Sequence, residues 1–288
     1  MTFDAGSSRV VAFGGGRFCG VDLFRDSTLW SWDGAQWSRT PTTFREPRED
    51  VLLTYDTGRR VLVLHGGRVP GRVFADTWEW DGRAWSQRSD SARSPGKLEH
   101  ASMAYDPRRG RTVLFGGAVG TGGMRDETWE WDGATWTRIS SGGPPRRIGH
   151  SMVWSPALDA VAMYGGFNEE GSLRDLWAWK GTAWTLVDSL GPAHTEGPGL
   201  ASLDSTLIVI GRPVGAPGEP ERFSTWVRRG RGWEALATAG PPLTIGPAMA
   251  YDASRRALVL FGGAPSPNSA PSSQTWEFRE GRWSLVRE

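Results

Sequence analysis

Cysteine is nearly absent. Cys19 stands alone in 288 residues, which excludes a disulfide framework and a cysteine-rich zinc site. Neither sign of charge is in excess. Lys and Arg number 33 against 32 Asp and Glu, so no global basic field argues for nucleic acid. No apolar run approaches the roughly 18 residues of a membrane-spanning helix. The opening Met1-Thr2-Phe3-Asp4 lacks the pattern of a signal peptide, and Phe3-Asp4 instead matches Tyr105-Asp106 further on. Phosphate loops, HExxH and a locally supported Ser-His-Asp set are missing. The four histidines, His65, His100, His150 and His194, stand at spacings that suggest no metal cage. These absences lead us to expect a soluble monomer, cytoplasmic sooner than exported, with no metal, no cofactor, no nucleic acid and no membrane partner.

Tryptophan is what the chain has in plenty. The stretch Glu127-Thr128-Trp129-Glu130-Trp131-Asp132-Gly133-Ala134-Thr135-Trp136 returns through the whole sequence. Its first Trp recurs as Trp30, Trp78, Trp129, Trp177, Trp226 and Trp276, every 48 to 51 residues. A second Trp follows each at a fixed distance, as Trp37, Trp85, Trp136, Trp184, Trp233 and Trp283. A constant period in this range marks a repeat architecture.

One repeat, residues 144 to 187, reads as four strands. Gly149 to Trp154 is the first and Val161 to Tyr164 the second, stopped by Gly165-Gly166. Leu176 to Trp179 and Trp184 to Val187 complete the set, with turn chemistry between. In the first strand small residues (Ser151, Val153) alternate with large ones (Met152, Trp154), so the two faces of the sheet differ. Sheets of that kind stack radially, large against small. The expectation is all-β: a six-bladed β-propeller with four antiparallel strands per blade. One domain spans 1-288, with blades at approximately 1-40, 41-89, 90-140, 141-189, 190-238 and 239-288. Residues 1 to 4 form a truncated innermost strand, and the first and last blades are expected to open most easily.

The repeat resembles the kelch family. The likeness lies in an apolar strand ending in Gly-Gly, an aromatic strand, and a Trp at fixed distance. The glycine pairs are Gly14-Gly15, Gly66-Gly67, Gly116-Gly117, Gly165-Gly166 and Gly262-Gly263; blade five departs with Ile210-Gly211-Arg212. The resemblance covers the whole chain and implies a kelch propeller. It leaves function open, because such propellers include binding modules, sugar-active enzymes and metal enzymes. The family's copper-radical oxidases need Tyr, Cys and His ligands, and here Cys19 is alone. The Glu-Asp-His set of its iron-binding specifier proteins is met by Glu46 and Asp50 but fails at Thr54.

Residues that recur at one scaffold position are read as packing, and that absorbs all 17 tryptophans and the four tyrosines, Tyr55, Tyr105, Tyr164 and Tyr251. Asp26, Asp76, Asp126 and Asp175 are read as scaffold carboxylates. Arg59-Arg60, Arg108-Arg109 and Arg255-Arg256 are read as a solvated basic rim. His65 stands where other repeats carry Phe, Tyr or Ile, so it is expected to be buried.

Function is expected on the opposite face, where the long, dissimilar loops lie. Charge gathers there just before the first strand of several repeats. Arg45, Glu46, Arg48, Glu49, Arg146, Arg147 and Glu196 are the candidate ligand-binding residues. The arginines would converge on a carboxylate, phosphate or acidic side chain. The ligand is then an acidic small molecule, peptide or protein. The alternative is a cofactor-free isomerase, lyase or cyclase using His100, His150, His194, Glu99 and Asp50 as acid–base groups. Lys97 shares this arc. Arg48→Ala and Arg147→Ala are expected to weaken binding and leave the melting temperature nearly unchanged.

Overall fold

The computed structural model describes the chain except residues 20–21, 26, 43, 45, 140–142, 195–198, 213–221, 237 and 267–268, and the side chains of 16–19, 22–25, 91 and 121. It is a six-bladed β-propeller, each blade a four-stranded antiparallel sheet. The innermost strands are Thr2–Asp4, Leu52–Asp56, Ser102–Asp106, Ser151–Ser155, Gly199–Leu203 and Ala248–Asp252. Each touches the innermost strands of both neighbours, and the first also touches the last, so the ring closes. In blade three the register runs Ser102↔Phe115, Phe115↔Thr128 and Thr128↔Ile139 from the axis outward. Among the described residues there is no α-helix, and Ser91–Arg93 and Gly120–Gly122 are short 3-10 turns.

The apolar core is divided among the seams between blades. Between blades three and four, Ala104, Val113 and Phe115 of one sheet meet Met152, Met163 and Trp179 of the next. Small faces large, as the alternation along the inner strand requires. The same division repeats at every seam around the ring.

Three seams carry a polar clamp as well. Arg109 donates from Nε to Asp106 at 2.7 Å and from Nη2 to Glu130 at 2.6 Å. Trp179 of the next blade donates its indole N–H to the same Glu130 oxygen at 2.7 Å, and Trp184 donates to Thr128 at 2.9 Å. Asp56, Arg59, Glu79, Trp131, Thr77 and Trp136 repeat the pattern between blades two and three. Asp252, Arg255, Glu277, Trp32, Thr275 and Trp37 repeat it between blades six and one. Arg59, Arg109 and Arg255 therefore hold, within their own blades, the glutamates that the next blade's tryptophans bind, whereas Arg108 and Arg256 are exposed as the sequence suggests. Their guanidinium groups, those of Arg59, Arg109 and Arg255, lie under turns of the next blade, Asp132-Gly133, Lys180-Gly181 and Asp33-Gly34. At Gly133, with φ +101°, a Cβ would fall within 2.6 Å of Arg59 Nη1. Asp132 closes that turn by accepting from Ala134 and Thr135 N–H at 2.8 and 2.7 Å.

Blade five lacks these groups. Ala178 faces it where Glu130 stands in blade three, Arg228 replaces Trp131, and Val227 replaces Glu130 toward blade six. The closing seam, between the chain's first and last blades, is by contrast fully clamped. No strand is exchanged there, since blade one is built from residues before 41 and blade six from residues after 247.

Candidate functional site

The short turns between inner and second strands lie on one face of the ring, and the long loops lie on the other. The rim of the long-loop face is a repeated device. The residue two before the inner strand adopts a left-handed conformation in blades two, three, four and six. Gly149 and Gly246 do so at φ 63° and 66°, and Asp50 and His100 do so at φ 56° each. Non-glycine residues in this region are uncommon, although Asp and His tolerate it better than most. The residue before it bridges to the start of the long loop, as Glu49↔Arg68, Glu99↔Ala118, Ile148↔Phe167 and Ile245↔Ala264. Hydrogen bonds then run around the rim. His100 N donates to Asp50 Oδ2 at 3.1 Å, and Gly149 N donates to His100 O at 2.9 Å.

Arg48 and Arg147 are placed by this device inside the wall. Both side chains are fully buried, and they belong to blades two and four, with blade three between them. Arg48 holds Asp76 with both Nη atoms at 2.6 and 2.8 Å, binds Gly66 O at 3.0 Å, and reaches Glu46 at 2.8 Å. Arg147 holds Asp175 at 2.7 and 2.8 Å and binds Gly165 O at 2.9 Å. Their own carbonyls accept Gly15 N and Gly117 N of the preceding blades, each at 3.0 Å. The expectation that these two guanidinium groups grip a ligand is corrected. Burial raises the Asp76 and Asp175 carboxyls, and the paired arginine and the neighbouring Trp78 or Trp177 outweigh it, holding both below the usual range. In blade three the scaffold carboxylate is Glu127, bonded by Trp129 at 3.1 Å and Arg138 at 3.0 Å, and not Asp126. Asp26, Arg45 and Glu196 lie outside the described residues.

Three histidines are also inside. His65 packs against Trp136 and contacts Thr77 Oγ1 at 3.0 Å; burial pushes its pKa down to about 4. His150 packs against Phe115, and burial with the Arg147 charge pushes it to about 3. His194 is buried between Tyr164 and Phe167. His150 and His194 are therefore withdrawn as acid–base groups at the mouth. His100 is the exposed one, its Nδ1 3.4 Å from Asp50 Oδ2.

Among the described residues the exposed cations of this face include Arg68, Arg72 and Arg146 beside Lys97, with Arg68 and Arg72 missed from the sequence because they sit inside the loop of blade two. Arg68 pairs with Glu99 at 3.2 Å and Glu49 at 3.5 Å, Arg72 with Glu46 at 3.6 Å, and Arg146 with Glu169 at 3.0 Å. Among the described residues no group of three or more His, Cys, Asp or Glu side chains is arranged to hold a metal ion. Along the ring axis lies a cavity of about 780 Å³ lined by the inner strands of all six blades.

No family model matches the chain, and the comparison with curated proteins finds no match. Architecture alone defines the class, a six-bladed β-propeller with a charged loop face.

Proposed function

We propose that this propeller is a binding module whose long-loop face holds an acidic group of a peptide, protein or small molecule. The reading rests on one observation. Arg68, Arg72 and Arg146 are 40, 62 and 59% exposed, and each pairs with carboxylates of the same surface, Arg72 also lying 4.3 Å over the Phe74 ring. Such pairs contribute about 0–1 kcal/mol, so a ligand carboxylate can replace Glu46 or Glu169 at small cost. Three of the four histidines are withdrawn from solvent, which favours binding over acid–base chemistry. The glycine pairs and tryptophan spacing support reading the repeats as kelch-type.

Fluorescence anisotropy with a dye-labelled hexaglutamate peptide tests the proposal. The double variant Arg72→Ala/Arg146→Ala should weaken binding more than tenfold, and added salt should weaken it further. Arg60→Ala, on the short-turn face, should change nothing. Loss of binding in Arg60→Ala with retention in the double variant places the site on the other face and ends this reading. One observation supports a second reading, a cofactor-free enzyme. His100 and Asp50 lie together on the exposed rim, a pair that could exchange a proton with a bound ligand. In that case His100→Gln abolishes turnover of the bound ligand and keeps its affinity.

A further inference from the structure

The axial cavity differs in chemistry from the rim above it. Its lining runs from Val51 and Ile245 at the loop face to Thr57 and Pro107 at the short-turn face. Among the described lining residues none has an Asp, Glu, Lys, Arg or His side chain; Met1 brings its α-amino group, whose pKa burial lowers to about 6, below neutral pH. The repeat accounts for its two other polar features. Each inner strand has a partner on one side only, so its free edge offers unpaired backbone groups. One such group is answered across a seam by a hydroxyl: Leu200 N donates to Ser151 Oγ at 3.1 Å. Ser102 supplies a second hydroxyl to the lining.

The short-turn end is aromatic. One position of the inner strand, paired with Val10, Leu62, Thr112, Val161, Leu207 and Leu258 in turn, holds Phe3, Tyr55, Tyr105, Trp154, Ser202 and Tyr251. All of these border the cavity, so five aromatic residues and one serine ring the axis as a collar, Phe3, Trp154 and Tyr251 half-buried and Tyr55 and Tyr105 sunk into the seams. Two of the tyrosines are tied at the hydroxyl to the preceding blade. Tyr105 accepts from Gly58 N at 3.2 Å and Tyr251 donates to Asp204 at 2.9 Å, which fixes the rings.

A charged molecule entering this space loses its hydration and meets no charged side chain, which is costly. A neutral molecule with a ring system and a few hydrogen-bonding groups meets aromatic surface at one end and hydroxyls and edge amides along the wall. A space of about 780 Å³ lies within the range of small-molecule sites. We propose that the axial cavity is a binding site for a neutral, ring-containing small molecule, separate from the acidic-ligand site of the loop face. The observations carrying it are a lining without charged side chains and the aromatic collar.

The test uses two fluorescent probes of similar size, neutral N-phenyl-1-naphthylamine and anionic anilinonaphthalene sulfonate. The neutral probe should bind saturably, and the anionic one at least tenfold more weakly. Ser102→Trp and Ala250→Phe, which fill the cavity from different blades, should each weaken the neutral probe tenfold or more. Circular dichroism and the melting temperature establish that each variant is folded, and either one suffices. Arg72→Ala/Arg146→Ala should leave the neutral probe unaffected, so this site and the loop-face site succeed or fail separately. The proposal is overturned by no saturable neutral binding, by equal binding of the anionic probe, or by neutral binding that survives in a folded cavity-filled variant.

Discussion

Arg147→Ala leaves the Asp175 carboxylate in the wall without its bidentate partner and Gly165 O without a donor. Breaking a buried pair by removing one member costs about 3 kcal/mol. The variant should therefore melt well below the parent, the reverse of what a ligand-gripping arginine at the mouth would give. A melting temperature equal to the parent's would contradict the buried placement. His65 makes a pH prediction. Its folded pKa of about 4 lies below the ordinary value of 6.5, so the unfolded chain binds the proton first as pH falls. Stability is then lost on acidification between those values, by on the order of 2 kcal/mol at pH 5 for one such group. His150 acts in the same direction, and so do Asp76 and Asp175, whose lowered pKa values remove stability as pH falls through the carboxylate range. Phe115 occupies the equivalent position in blade three beside Thr128, so His65→Phe should fold. Urea unfolding at pH 7 and pH 5 should show the variant gaining on the parent at the lower pH. Parallel pH profiles for the two proteins would show that His65 is not held neutral.

At the scale of the blade, the seams are unequal. The seam from blade four to blade five is apolar around Ala162, Leu176, Leu200 and Val209, and its described polar ties, among them Trp233 to Asp188 at 3.0 Å, Leu200 N to Ser151 at 3.1 Å and Tyr164 to Pro192 O at 2.6 Å, include no Arg-Glu-Trp clamp. Blade five also lacks the Arg-Glu-Trp clamp toward blade six, where Trp283 to Thr225 at 2.9 Å and Tyr251 to Asp204 remain. Local opening follows the weakest contacts. Amide exchange in Thr206–Gly211 should therefore be faster than in the equivalent strands Arg111–Phe115 and Ala160–Tyr164. The sequence instead suggests the first and last blades, and the seam from blade one to blade two also lacks the clamp, with Ser31 where blade three has Glu130. If the amides of Arg9–Phe13 exchange first, the clamp at the closing seam is not what holds the ring.

For the whole molecule, closure depends on side chains, because the chain's two end blades share no strand. Trp32 donates to Glu277 at 3.0 Å across that seam, as Trp179 donates to Glu130 at 2.7 Å across another. A double-mutant cycle with Trp32→Phe and Glu277→Gln should return a coupling of about 2 kcal/mol, typical of a hydrogen bond to a charged acceptor. The Trp179→Phe/Glu130→Gln cycle should return the same within error. A coupling near zero at the closing seam alone would mean that the ring opens there in solution.

The sequence determined the architecture because every blade repeats one local pattern. Trp129, Trp131 and Trp136, the Asp132-Gly133 turn and the Gly116-Gly117 stop each fix strand, turn and register within about 50 residues. It also determined that His65 is buried, since Phe, Tyr and Ile at its equivalents mark an apolar position. The sites were not legible in the same way. Arg48 and Arg147 look like free charge on a loop, and their partners Asp76 and Asp175 lie 28 residues away in the chain. Only the folded blade brings those groups within hydrogen-bond distance. Phe3, Tyr55, Tyr105, Trp154 and Tyr251 read as repeated packing residues, and they are, but a collar exists only once six blades close around one axis. A repeat fixes its own sheet through neighbours in sequence. The charge state of its rim and the chemistry of its axis come from contacts between repeats, which the tertiary structure alone decides.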